Sequence, residues 1–138
     1  MKRSRCFLSI AICLFLVSCF GDEFESKKIL GNYYLTTTDG FQNNIYIDFK
    51  LETGNFVGVV PSCVFSVGCS KKYIIAKQHP FSYPANIDSS LTNYYILHVH
   101  KKTLVPDSGV LGPLNLKEFQ FKKKELRIED VEFSMTIR

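Results

Sequence analysis

Apolar and polar residues alternate along two long stretches of the chain, with a period of two. In residues 45–51 the apolar side chains Ile45, Ile47, Phe49 and Leu51 alternate with Tyr46, Asp48 and Lys50. In residues 131–137 the apolar positions are Val131, Phe133, Met135 and Ile137. This alternation is typical of strands that bury one face, so both stretches are predicted to be half-buried β-strands.

Four further stretches have the composition of strands. Residues 33–38 and 93–100 are rich in aromatic and β-branched side chains, which strands favour, and residues 56–60 complete the set. Residues 73–76 are apolar on both faces. A strand of that kind is covered on both sides, so we expect residues 73–76 at the centre of a sheet.

The segments between these strands have the chemistry of turns and loops. Asp39 and Gly40 separate the first two strands, and residues 53–55, Thr-Gly-Asn, separate the next two. Residues 79–92 and 103–113 are predicted loops. Short connections of this kind favour antiparallel hairpins. The predicted fold class is therefore mainly β: a small antiparallel meander or a partly closed barrel, with one C-terminal helix and a closing strand.

The C-terminal helix is predicted from its cap and its apolar stripe. Asn115 can cap the helix, and Glu118 at the third helical position can close a capping box. The apolar stripe consists of Leu116, Phe119 and Leu126, with the stem of Lys123 beside it. Phe121 falls off this stripe, so the pattern predicts that Phe119 is buried and that Phe121 is exposed.

The N-terminal residues are typical of a signal peptide. Three basic residues, Lys2, Arg3 and Arg5, precede an apolar run over residues 7–17. The run has the length of a signal-peptide core and is too short for a transmembrane helix. An uncleaved anchor helix, or a secretory signal that is cut elsewhere, would also account for this pattern.

The residues that end this run resemble the lipobox of bacterial lipoproteins. Leu16 lies three positions before Cys19, and the small residue Ser18 directly precedes it. In that pathway a diacylglycerol is attached to Cys19 and the chain is cut before it, so that two or three acyl chains hold the protein on a membrane. The expected organisation is a signal peptide over residues 1–18, a lipidated tether over 19–29 and one β-rich domain over 30–138.

The net charge of the chain and the residues that follow Cys19 indicate where the protein is located and which partners it has. The chain has 17 basic and 13 acidic residues, and the three basic residues of the signal leave 14 in the mature protein. A nearly balanced charge outside the cytoplasm disfavours a nucleic-acid partner. The expected location is the bacterial cell envelope, facing the periplasm or the cell surface. If the cell is Gram-negative, the outer membrane is favoured, because Phe20 stands where an Asp would indicate inner-membrane retention in enterobacteria. The short acidic run after it would serve as a solvated tether or, as in some Bacteroidetes lipoproteins, as an export signal.

Two cysteines, Cys63 and Cys69, remain after processing in a compartment where disulfides persist. One straight strand would hold their sulfurs about 20 Å apart. A turn over residues 65–68 would bring them together, and we expect a disulfide between them on that basis. Two free thiols or half of a metal site are the alternatives.

His98 and His100 have the spacing of metal ligands on a strand, because alternate residues share a face. A third ligand would come from elsewhere, from His79 or a carboxylate such as Asp107. Exposed residues at the end of a strand give the same pattern. The sequence contains neither a nucleophile elbow nor a Gly-rich phosphate loop, so we predict no catalytic residue and no cofactor.

Two tyrosine pairs, Tyr33/Tyr34 and Tyr94/Tyr95, occupy predicted strands. Neighbouring strand residues face opposite ways, so one tyrosine of each pair points away from the face that the other buries. Such a pattern indicates either a sheet that is covered on both faces or an exposed tyrosine patch that binds a protein or a glycan.

Three stretches resemble a known family when they occur in this order behind a lipobox. They are residues 72–78, Lys-Tyr-Ile-Ile-Ala-Lys-Gln; residues 93–97, Asn-Tyr-Tyr-Ile-Leu; and residues 112–126, which begin Gly-Pro-Leu and contain Glu118, Phe119, Lys122 and Leu126. The chain resembles small bacterial lipoproteins grouped as a domain of unknown function. The resemblance implies a secreted, lipid-anchored single domain without an assigned activity. The Cys63/Cys69 and His98/His100 pairs are not part of that family pattern.

The predicted function is therefore that of a lipid-anchored envelope protein whose domain binds or supports another envelope component, a protein or a glycan. The alternative is a small metal-binding protein or metal-dependent hydrolase that uses His98 and His100.

Overall fold

The computed structural model describes residues 25–37, 44–82, 86–100 and 109–137. Its strands are β1 (Glu25–Leu30), β2 (Tyr33–Thr37), β3 (Ile45–Lys50), β4 (Phe56–Val60), β5 (Val64–Cys69), β6 (Tyr73–Gln78), β7 (Phe81–Ser82), β8 (Asn86–Ile87), β9 (Asn93–His98), β10 (Val110–Leu114) and β11 (Met135–Thr136). The helix α1 spans Leu116–Glu125.

These strands form two antiparallel sheets and a short β7–β8 hairpin. Sheet A has the order β1-β2-β3-β4, and sheet B has the order β10-β9-β6-β5-β11. The chain passes from one sheet to the other between β4 and β5. The predicted fold class is confirmed: the described residues form open antiparallel sheets with one C-terminal helix, and no closed barrel. The predicted central strand, β6, lies in the middle of sheet B.

The main hydrophobic core lies between the two sheets. Sheet A contributes Tyr33, Leu35, Ile47 and Phe49, and sheet B contributes Val64, Val67, Ile74, Ala76, Tyr95 and Leu97. The contribution of β3, Ile47 and Phe49, was visible in the alternation of residues 45–51. Ile47 is fully buried while Asp48 next to it is only half-buried, as period two requires.

The helix covers the other face of sheet B. The side-chain oxygen of Asn115 accepts a hydrogen bond from the backbone amide of Glu118 at 3.0 Å, and the backbone amide of Asn115 donates to the Glu118 carboxylate at 2.9 Å. The predicted capping box is therefore confirmed. Phe119 is buried and Phe121 is 66% exposed, as the stripe predicted. The prediction for Leu116 is wrong, because it is 52% exposed. Leu116 is the first residue of the helix and directly follows β10, the edge strand of sheet B. The described sheet has no further strand beyond β10 that could cover its side chain.

The C-terminal segment differs from the one-sided strand predicted over residues 131–137. Val131 and Phe133 pack on the helix side of sheet B, whereas Met135 and Ile137 pack against the core between the sheets. The segment therefore crosses the edge of β5 from one layer to the other, and only Met135 and Thr136 pair with that strand. At the crossing, the Glu132 carbonyl lies where a β-carbon on Gly68 would be.

Sheet A also has an edge strand that the pattern did not predict. Residues 25–29 were assigned to the tether because they are polar, yet they form most of β1 and pair with β2. Their side chains are largely exposed. A solvated edge strand lacks the apolar alternation by which strands are recognised.

Candidate functional site

The predicted lipidation site, Cys19, lies outside the described residues. Strand β1 begins at Glu25, six positions after it. A chain of that length spans at most about 20 Å. Within the described residues, the ten-residue helix α1 is too short and too polar to cross a membrane.

The predicted disulfide between Cys63 and Cys69 is wrong, because both thiols are free in the structure. The turn that the disulfide required is absent: residues 64–69 form the extended strand β5, which pairs with β6. Cys63 and Cys69 consequently lie at opposite ends of a strand, too far apart for a bond. Cys63 is buried and Cys69 is exposed.

The histidine pair does share a face, as its spacing predicted. The ring centroids of His98 and His100 lie 3.8 Å apart, and Tyr73 stacks on His98 at 4.6 Å. Partial burial, and then the neighbouring His100 and Lys72, lower the pKa of His98 below its ordinary value. These surroundings favour the neutral imidazole.

The described residues supply no third ligand to this pair. No group of three potential ligands occurs among the residues that the structure describes. His79 is at the other end of the sheet, where its ring stacks on Phe65 at 4.1 Å and its Nδ1 lies 2.8 Å from the Leu91 carbonyl oxygen. Asp107 lies outside the described residues. The observed pair is therefore an aromatic and imidazole cluster rather than a complete metal centre.

The two tyrosine pairs differ in what lies on the outward-facing tyrosine of each sheet. Tyr33 and Tyr95 are buried between the sheets. Tyr94 lies on the opposite face of sheet B, where its ring stacks on Phe119 of the helix at 4.7 Å. Sheet B is thus covered on both faces. Tyr34 faces away from the core on sheet A, on a side that α1 does not reach, since the helix packs on β9 and β10.

The outer side of sheet A carries an aromatic face, which we define as Tyr34, Tyr46, Asp48, Lys50 and Phe56. Strand register places these side chains on one side, because Tyr34 is opposite Asp48 and Lys50 is opposite Phe56. The rings of Tyr34 and Phe56 meet edge to face at 5.6 Å. The Lys50 ammonium lies 5.8 Å and 5.7 Å from their centroids, within cation–π range.

A gap lies beside these rings. Gly58 on β4 is opposite Asp48, and a β-carbon added there would meet only Asp48 Oδ1, at 3.8 Å. Asp48 is held in place by Thr36, whose hydroxyl donates to Oδ2 at 2.6 Å. The aromatic face therefore combines three rings, an ammonium group and an oriented carboxylate, and we call the space that a Gly58 side chain would occupy its recess.

Sequence reasoning identified Tyr34 but not its neighbours on this face. Asp48 and Lys50 were recognised only as the polar side of a strand, and Gly58 was not singled out. The register of the β2–β3 and β3–β4 hairpins was the missing information. Turn type and loop length fix hairpin register, so the turn predicted over residues 53–55 could have suggested the β3–β4 register. The turn predicted at Asp39 and Gly40 lies outside the described residues.

Fold and site together define a small protein of two antiparallel sheets with one flanking helix and an aromatic outer face. Residues 30–136 match the family described as "Protein of unknown function (DUF3997)", and the chain belongs to that family. No curated protein and no solved structure matches the chain.

Proposed function

We propose that this protein is a lipid-anchored component of the bacterial cell envelope, attached through Cys19, and that its domain binds an envelope glycan through the aromatic face. The basic residues, apolar run and lipobox at the N-terminus support the anchor. The aromatic face carries the binding proposal, because helix α1 covers the outer side of sheet B and leaves the outer side of sheet A with aromatic and charged side chains.

The chemistry of the face matches that of a sugar ring. Pyranose rings have apolar C–H faces, which pack on aromatic side chains such as Tyr34. Their hydroxyl groups both donate and accept hydrogen bonds. Asp48 Oδ1 can accept from such a hydroxyl, while the Lys50 ammonium can donate to one. The recess above Gly58 gives a ring access to the Asp48 carboxylate.

A glycan fits this face better than a protein partner does. Protein interfaces of standard size bury about 800 Å² on each side and centre on exposed aromatic anchors. The rings of Tyr34, Tyr46 and Phe56 are only half-buried among polar neighbours. The large apolar side chains that are most exposed, Phe121 among them, lie elsewhere. A recess beside one carboxylate, on a face with half-buried aromatic rings, suits a small ring.

Filling the recess tests the proposal directly. The full-length protein, purified from its native membrane, is co-sedimented with insoluble envelope glycan. Gly58→Val adds a side chain that a strand accommodates, and its β-carbon would meet only Asp48 Oδ1 among the described atoms, at 3.8 Å. We expect it to weaken glycan binding about tenfold, equivalent to about 1.4 kcal/mol. Thr53→Val, an equally exposed substitution in the β3–β4 turn, is the matched control and should bind like the native protein.

Two results would reject glycan binding at this face. In the first, Gly58→Val binds the glycan as tightly as the native protein does. In the second, Thr53→Val loses as much glycan affinity as Gly58→Val. The melting temperature of each variant, measured alongside, distinguishes a lost site from a lost fold. The anchor is tested separately, because glycan binding by this face does not depend on lipidation.

A further inference from the structure

A cleft opens at the end of the molecule where β1 begins. Its volume is about 760 Å³, within the range of small-molecule sites. Leu35 and Ile45 line it from sheet A, and Met135 and Ile137 line it from the C-terminal segment. These four side chains also border the core between the sheets. The cleft is thus a continuation of the core that solvent can reach, lined by these four apolar side chains and by polar residues of β1, β2 and β11.

Polar groups stand at the rim of this cleft. Thr37 Oγ1 is buried and has no hydrogen-bond partner in the described structure. A buried hydroxyl without a partner carries a cost, which a ligand that supplies one would remove. Glu25 lies opposite Thr37 across the β1–β2 pair, and Lys27 lies opposite Leu35, so one carboxylate and one ammonium flank the opening.

We propose that this cleft binds one acyl chain of a zwitterionic phospholipid whose head group carries an ammonium. The acyl chain packs between the two apolar walls, and the Thr37 hydroxyl donates to the ester carbonyl at its head. Glu25 attracts the ammonium of the head group, and Lys27 attracts its phosphate. A simple carboxylate head would fit less well, because Glu25 would repel it.

The position of the cleft supports a membrane lipid as the occupant. Cys19 lies six positions before Glu25, so an anchor there would hold the cleft within about 20 Å of the bilayer surface. This part of the argument rests on the proposed anchor. Lipid binding itself does not, because the cleft is formed by the folded domain.

The experiment therefore uses the mature chain, residues 19–138, with Cys19→Ser, which carries neither the apolar signal peptide nor a lipid. It is titrated in solution with dodecanoyl lysophosphatidylethanolamine, below the concentration at which that lipid forms micelles, and binding is followed by calorimetry. We expect Met135→Trp, which fills the cleft, to weaken binding about tenfold. Met135→Leu keeps the volume and should bind like the parent. Thr37→Val keeps the shape but removes the hydroxyl, and should weaken binding about fivefold.

A second titration tests the head group. Dodecanoyl lysophosphatidylglycerol has the same acyl chain but a net negative head, and should bind several-fold more weakly. If neither lipid binds, or if Met135→Trp and Met135→Leu bind equally well, the cleft is not a lipid site. Equal binding of the two lipids would overturn the roles of Glu25 and Lys27. Neither result depends on whether Cys19 is lipidated in the native protein.

Discussion

The ring of Phe119 stacks on the ring of Tyr94 at a centroid distance of 4.7 Å, with 26° between the ring planes. This contact fastens the helix α1 to β9, a central strand of sheet B. The stem of Lys123 strengthens the same attachment, since its ammonium donates to the Val131 carbonyl at 2.6 Å and lies 5.7 Å from the Phe119 ring centroid. One aromatic residue of the helix therefore carries most of its packing.

Phe119→Ala should lower the free energy of unfolding by about 3–5 kcal/mol, the usual loss for a buried aromatic side chain. Phe121→Ala, two positions along the same helix, should change it by no more than about 0.5 kcal/mol, because its ring is exposed. Urea denaturation of the two variants provides the comparison. Equal losses would mean that the helix buries a different face.

Gly68→Ala should destabilise the fold by about 1–3 kcal/mol, because the new methyl group would collide with the Glu132 backbone where the C-terminal segment crosses β5. Gly58→Ala is the matched control, since it adds the same methyl group to a strand glycine where that group would make only an ordinary contact, with Asp48 Oδ1 at 3.8 Å. Thermal melts of both variants should separate them clearly. A normal melting temperature for Gly68→Ala would show that the segment does not cross there.

The two cysteines should react with a thiol reagent at very different rates. Cys69 is exposed and should be alkylated at once in the folded protein, without reductant, whereas buried Cys63 should react only when the protein opens. Mass spectrometry of the alkylated peptides measures both rates. If instead both thiols are protected and a reductant removes this protection, the two cysteines form a disulfide after all.

His98 makes stability depend on pH. Its pKa is lower in the folded protein than its ordinary value of 6.5, so the unfolded chain takes up a proton first. The stabilising contribution of neutral His98 is complete above pH 6.5 and is lost as the pH falls below that value. Urea denaturation at pH 7.5 and pH 5 should show a smaller acid-induced loss in His98→Gln than in the native protein. The same loss in both proteins would exclude this role.

Elements with a strong local pattern could be predicted from the sequence, and elements defined by a distant partner could not. The alternation in residues 45–51 reports which side of β3 is buried, and the capping box at Asn115 depends only on neighbours in the chain. Strand β1 was missed because an edge strand needs no apolar face. Strand β5 was missed because Gly68 looked like a turn, whereas it admits the backbone of a segment more than sixty positions further along the chain.

In the candidate sites, too, local features could be predicted and features that depend on strand alignment could not. The shared face of His98 and His100 follows from strand periodicity alone, so it could be predicted. The distance of His79 from them could not, because it depends on how β6 and β9 align: Tyr73 is opposite His98, and Gln78 is opposite Asn93. The recess at Gly58 likewise requires the β3–β4 register, which includes an irregularity between Ile47 and Asp48.

Attachment to the membrane should depend on the sulfur of Cys19, because the lipid is attached to it. Cys19→Ser should leave an unlipidated precursor that is not processed to a mature lipoprotein. Labelled palmitate incorporation, together with the apparent mass on a gel, measures both steps. A serine variant that is processed and recovered with membranes like the native protein would contradict the lipobox interpretation.

Amide chemical-shift mapping during titration with soluble envelope-glycan fragments tests glycan binding by the outer side of sheet A in the native protein. We expect the amide signals of Tyr34, Asp48 and Gly58 to shift in a saturable way, while those of Phe121 and the rest of α1 stay unchanged. Shifts that are confined to sheet B or the helix, or no saturable shifts at all, would show that the aromatic face binds no glycan.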